Sequence, residues 1–336
     1  MSSDAMAWHT LTRRDVKSLV AKLLAHTRPA AHREALATLV TECLDGDTTS
    51  QAAIAVDAAI PPLVRLIVPG STQEIQFNAL FCLIWLGNVP ENAATIAAAG
   101  PIPRLVQMLG PGSPAGVQEN AAFVLGYLAK NADTAVTIAA AGAIPLLVPM
   151  LGPGSRSHKA ATTALSRLAV NPWNAVAISF AGAIPPLVQL LGHGDDDVQF
   201  HAANTLSHLA WITNNKASIA AAGAIPLLVQ LLGPGSAADV KERAAAVLLP
   251  LAIHAENQIS IAGAGAVPPL MQLLGPSSLS ALQGNAAGAL GNLALYADNQ
   301  ITIAAAGATP SLVQLLGPGS SSVVKQYAAT HSATLL

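Results

Sequence analysis

His201 and His208 stand seven residues apart, which puts two imidazoles on one face of a helix about two turns apart. Two histidines without further ligands in the pattern are a poor zinc signature, because zinc takes three or four protein ligands. Asp195, Asp196 and Asp197 form an acidic run. Calcium needs oxygen ligands spaced through a loop, whereas consecutive carboxylates suit the first turn of a helix, where negative charge is favourable. The glycine-rich pieces GPGSPAG at Gly110 and GAGAVP at Gly263 follow helical patterns. They also lack the Gly-Lys-Ser/Thr ending of a phosphate loop. No nucleophile, base and orienting group form a set. The sequence therefore predicts no catalytic residue, no metal, no cofactor and no small-molecule substrate.

These polar residues are embedded in a chain with little charge. Charged residues make up 10% of 336 and the net charge is −2, against about 25% charged in ordinary globular proteins. Such a balance offers no attraction to nucleic acid. Mean hydropathy is +0.49, yet prolines and glycines interrupt every apolar run before the ~18–20 residues of a membrane span. Cys43 and Cys82 are the only cysteines, which suits a reducing compartment. The first residues, MSSDAMAWHT, lack the apolar core of a signal peptide. The expected location is the cytoplasm or nucleus, and the expected state a monomer.

What must position any site is a repeat. Gly-Ala-Ile-Pro begins at Gly142, Gly182 and Gly223, and close variants begin at Ala58, Gly100, Gly265 and Gly307. These starts lie 40 to 42 residues apart, a period that signals stacked helical units. Each unit reads as a short helix ending at glycine, a second helix with proline in its first turn, a Gly-Pro-Gly-Ser-like break, and a long third helix. Asn92, Thr134, Asn174, Asn215, Asn257 and Asn299 fill one slot, read as the N-cap of the short helix. Ser113 is read as able to cap the third helix. Small Ala121 and Ala122 permit close packing.

The expected organisation is a disordered tail over 1–9, a partial capping repeat over 10–49, and seven repeats over 50–336. The repeats run at about 50–88, 91–130, 131–171, 172–211, 214–254, 256–296 and 298–336. Ser332 replaces a buried leucine, which suits a terminal unit.

Residues 215–232, NKASIAAAGAIPLLVQLL, and 282–294, LQGNAAGALGNLA, resemble the armadillo repeat, and the likeness recurs along nearly the whole chain. It implies an all-α, right-handed superhelical solenoid whose third helices line a concave groove. The pattern is most similar to vacuolar armadillo proteins and plant and algal armadillo proteins.

Within each third helix, the residue before the final Leu-Ala is taken as a rung. The rungs are Trp85, Tyr127, Arg167, His208, Pro250, Asn292 and Thr334. Four residues earlier come Phe81, Phe123, Thr163, Asn204, Ala246, Gly288 and Thr330. Seven before the rung come Asn78, Asn120, Ala160, His201, Arg243, Asn285 and Tyr327. In importin-α and β-catenin the rung is usually asparagine. Here only Asn292 keeps it, which argues against a nuclear-import receptor.

Phe81, Trp85, Phe123 and Tyr127 instead concentrate four of the chain's twelve aromatics on adjacent rungs. Aromatic clusters anchor interfaces; the alternative is that Phe81 and Phe123 pack between repeats. A second zone, Arg167, His201, His208 and Arg243, is mildly basic and suited to acidic or phosphorylated groups. Asn204 and Asn292 complete the candidate groove. The expected function is a non-catalytic scaffold binding an extended peptide or helix of a partner protein. The alternatives are a substrate-binding subunit associated with a ubiquitin ligase and, further off, a transport adaptor.

Overall fold

The computed structural model describes residues 13–24, 29–45, 59–68, 70–152, 154–275 and 278–317, with Lys325, Gln326 and Ala329. The expected N-terminal tail and the positions Tyr327, Thr330, Ser332 and Thr334 lie outside the described residues. Every regular element among those described is helical, and no single helix there is long and apolar enough to cross a membrane. The chain forms two compact units, Met1–Met150 with Ser155–Leu168, and Leu151–Gly154 with Ala169–Leu336.

In unit one the helices Arg13–Leu24 and Pro29–Asp45 pack on each other, and the second lies against the long helix Gln73–Gly87. That helix packs beside Ala115–Leu128, which packs beside His158–Leu168. Unit two repeats the arrangement, with Asp196–Leu209 beside Ala238–Leu251 and the latter beside Ser280–Leu293. Leucines at helical spacing drive this stacking. Leu80, Leu83, Leu125, Leu206, Leu248 and Leu293 are all fully buried, each contributing about 1.5–3 kcal/mol by leaving water. Ala121 and Ala122 are buried as well. At Gly126 a methyl would come within 3.3 Å of the Ala164 Cα, so glycine there lets two long helices approach.

Short helices end as the sequence predicts. Gly223, at φ 84°, holds the left-handed conformation between its two helices, and five further glycines, from Gly100 to Gly307, do the same in other repeats. Pro103, Pro185 and Pro268 lie in the first turn of their second helices. Pro149 has no N–H and stands where five other repeats carry glutamine, and its helix stops at Leu147.

The asparagine slot does something other than expected. The short helices are entered from extended residues three positions earlier in most repeats, at Val89, Asn131, Asn171, His254 and Tyr296. Asn131 Oδ1 accepts from the Thr134 N–H at 3.0 Å, and Asn171 Oδ1 from the Trp173 N–H at 2.9 Å. Three of the slot asparagines instead serve the preceding long helix. Asn215 Nδ2 donates to the Leu209 carbonyl at 3.0 Å, Asn257 to Leu251 at 3.1 Å and Asn299 to Leu293 at 3.1 Å. Each closes a buried helix-end carbonyl, whose loss of a partner costs about 1–3 kcal/mol.

A second device closes the second helices. Gln76, Gln118, Gln199 and Gln283, in the first turn of the long helices, reach back to the carbonyls of Val68, Gly110, Leu191 and Gly275 at 2.7 to 3.1 Å. Ser113 is not the cap of the third helix, whose N-cap is Pro114. Asp195 does cap its helix, its carboxylate accepting from the Val198 N–H at 2.9 Å.

Candidate functional site

In unit one, three neighbouring long helices carry the aromatic and cationic positions. Phe81 and Trp85 lie on Gln73–Gly87, Phe123 and Tyr127 on Ala115–Leu128, and Arg167 on His158–Leu168. All five are half-buried. None of the four aromatics is fully buried. The Tyr127 Cβ lies 3.5 Å from where a Gly87 methyl would sit.

Tyr127 is the centre of this face. The Arg167 guanidinium lies over its ring at 4.7 Å from the centroid, and the Lys130 ammonium at 4.9 Å. Both distances fall within cation–π range. Burial, offset in part by Tyr127, lowers the Arg167 pKa from its ordinary value. Burial and then the Arg167 charge lower that of Lys130. Arg167 Nη1 is shut from solvent without a hydrogen-bond partner. The sequence reading missed Lys130, which follows the helix and is no rung. It also missed Phe77, which is 40% exposed and lies over Gly116, where a Cβ would come within 3.1 Å of its ring.

The corresponding face of unit two is polar and largely committed to itself. Arg243 Nη1 donates to Asn204 Oδ1 at 3.2 Å, and Arg243 Nη2 pairs with Glu242. The Arg243 guanidinium also lies 5.9 Å from the Phe200 ring, and that ring meets His201 edge-on at 5.1 Å. Burial first, and then the Arg243 charge, lower the His208 pKa. Pro250 is buried. The rung asparagine, Asn292, donates from Nδ2 to the Leu249 carbonyl of the neighbouring long helix at 2.9 Å. Asn285 donates to the Glu242 carbonyl at 3.4 Å. Asn120 in unit one does the same toward Phe77 at 3.3 Å. Among the described residues no three His, Cys, Asp or Glu side chains are grouped to hold a metal ion.

The most exposed aromatics among the described residues lie elsewhere. Trp173 is 83% and Phe180 89% exposed, at the two ends of the short helix Pro172–Phe180. Register comparison finds them. The Trp173 slot holds Glu91, Asp133, Glu256 and Asp298 in other repeats, and the Phe180 slot holds alanine, glycine or, once, Val56.

The family model described as Armadillo/beta-catenin-like repeat matches residues 178–211 and 254–295. No curated protein sequence matches the chain. Among solved structures, an engineered protein is 31% identical, covering 97% of this chain and 79% of its own, with a TM-score of 0.80. A designed armadillo repeat protein is 26% identical, covering 70% of this chain and 100% of its own, with a TM-score of 0.63. Another, solved in complex with the peptide (KR)4, is 25% identical, covering 70% and 99%, with a TM-score of 0.60.

Proposed function

Because the chain belongs to the armadillo-repeat family, we propose that it is a non-catalytic scaffold whose long third helices take an extended peptide or helix of a partner protein. The observation that carries this reading is the row of half-buried aromatics, Phe81, Trp85, Phe123 and Tyr127, on two packed long helices of unit one. Aromatic side chains offer large contact area at a small loss of conformational freedom, and they dominate binding energy at interfaces. The related designed protein that holds a (KR)4 peptide supports the choice of a peptide as ligand. In unit two Asn292 spends one amide hydrogen on the Leu249 carbonyl. Its oxygen makes no bond among the described residues, which suits it to accept a backbone N–H.

The test is a library of random twelve-residue peptides displayed on phage and selected on the intact chain. The selected peptides are expected to lose about thirtyfold or more in affinity when Trp85 is replaced by Ala, the loss of one interface anchor. Trp173→Ala, at an exposed residue on the short helix Pro172–Phe180, is expected to leave them bound. Peptides that survive Trp85→Ala and Asn292→Ala but are lost with Trp173→Ala would overturn the reading.

A further inference from the structure

We propose that Arg167, Tyr127 and Lys130 form an oxyanion subsite, which takes a carboxylate or a phosphate group carried by an extended peptide. This deepens the peptide-binding reading and rests on it. Two cations share one aromatic ring, at 4.7 and 4.9 Å from its centroid. Neither the Arg167 nor the Lys130 side chain makes a hydrogen bond or an ion pair among the described residues, and Arg167 Nη1 is sealed from water with no acceptor. The Arg167 charge therefore has no acceptor among the described residues, and a ligand oxyanion at the half-buried guanidinium supplies one.

The ring also prepares the arginine. Held over Tyr127, the guanidinium forfeits little freedom when its planar fork meets an oxyanion, and Arg binds carboxylate and phosphate through two parallel N–H bonds. Glu119, the acid on the Tyr127 helix, has its pKa raised by burial, against which the charges of His158 and Arg156 lower it. Unit two supplies the counter-example. Arg243 also has one buried nitrogen without a partner, Nε, but its two terminal nitrogens already have Glu242 and Asn204 in place, so it is not part of the subsite. A basic peptide would meet two like charges at Tyr127, and an acidic one would neutralise both.

The experiment sequences peptides selected from the random display library on the intact chain, on Arg167→Met and on Trp85→Ala. The expected result is an enrichment in Asp and Glu that Arg167→Met abolishes. Synthetic versions of the leading peptide then carry Glu, Gln or phosphoserine at the enriched position, or an amidated C-terminus. Glu→Gln is expected to weaken binding about tenfold or more. Tighter binding of phosphoserine than of Glu assigns the subsite to phosphate, and a loss on amidation assigns it to a terminal carboxylate.

Trp85-dependent peptides without acidic residues, or acidic peptides indifferent to Arg167→Met, would overturn the subsite while leaving the peptide-binding reading standing. Acidic peptides that need Arg167 but not Trp85 uphold the subsite and remove the aromatic row. Should no peptide depend on either residue, both ideas fall. Arg167→Gln serves as a second variant, and thermal melting of each establishes that a lost ligand is not a lost fold. Arg167→Lys keeps the charge without the fork and is expected to bind between wild type and Arg167→Met, which a purely structural arginine would not produce.

Discussion

Arg167 in unit one and Arg243 in unit two are the same side chain on the same class of helix, each over an aromatic ring and each with one buried nitrogen unpartnered. They differ at the other nitrogens, where Arg243 is held by Glu242 and Asn204. Arg167 has a tyrosine ring and a second cation beside it, and no acceptor. The first is a structural tie within its unit and the second is a handle for something outside the chain. Residue type does not distinguish them; their neighbours do.

The comparison breaks most readily at Glu242. Its side chain is 15% exposed and that of Arg243 30%, so Glu242→Ala strands a partly buried charge. A loss of about 2 kcal/mol or more is expected in urea unfolding. Arg167→Met strands nothing and is expected to stay within about 1 kcal/mol of wild type. If the two variants rank the other way, Arg167 is the tie and Arg243 the handle.

Asn292 gives a smaller effect. Asn292→Ala leaves the Leu249 carbonyl without its donor and is expected to cost about 1–2 kcal/mol. Asn292→Asp cannot donate and is expected to do no better, and full stability in the aspartate variant would show that water replaces the amide.

The smallest effect is a slope. Burial and the Arg243 charge keep the His208 imidazole below its ordinary value, so the unfolded chain takes up that proton first as pH falls. Stability is then expected to be complete above about pH 6.5 and to decline as pH drops below it toward the folded value. His208→Gln is expected to flatten that decline in melting curves recorded from pH 7.5 to 5.

The fold was legible because its signals are local. A glycine at the end of a short helix, a proline at the start of the next and leucines at helical spacing each constrain their own few residues. The asparagine slot was misread for the opposite reason. Its bond runs back six residues into a different helix, as from Asn257 to Leu251, and a rule about one helix's own first turn does not see it. The same limit applies at the site. Tyr127 and Arg167 could be placed on one face by counting. The missing acceptor of Nη1 and the arrival of Lys130 depend on distances between helices. Glu242 and Arg243 are adjacent in sequence, where helical side chains ordinarily point apart, so their pairing gave no warning either.

The left-handed glycines carry one more consequence. Gly100, Gly142, Gly182, Gly223, Gly265 and Gly307 share φ values of 75° to 86°, and a Cβ at any of them would meet nothing within 4 Å. Alanine at each therefore applies nearly the same load, a backbone strain of about 1–2 kcal/mol, without a clash to confuse it. The chain comes supplied with a graduated scale, six equal weights hung at intervals of about one repeat. How far each weight pulls down the unfolding midpoint reads out how firmly that stretch is held.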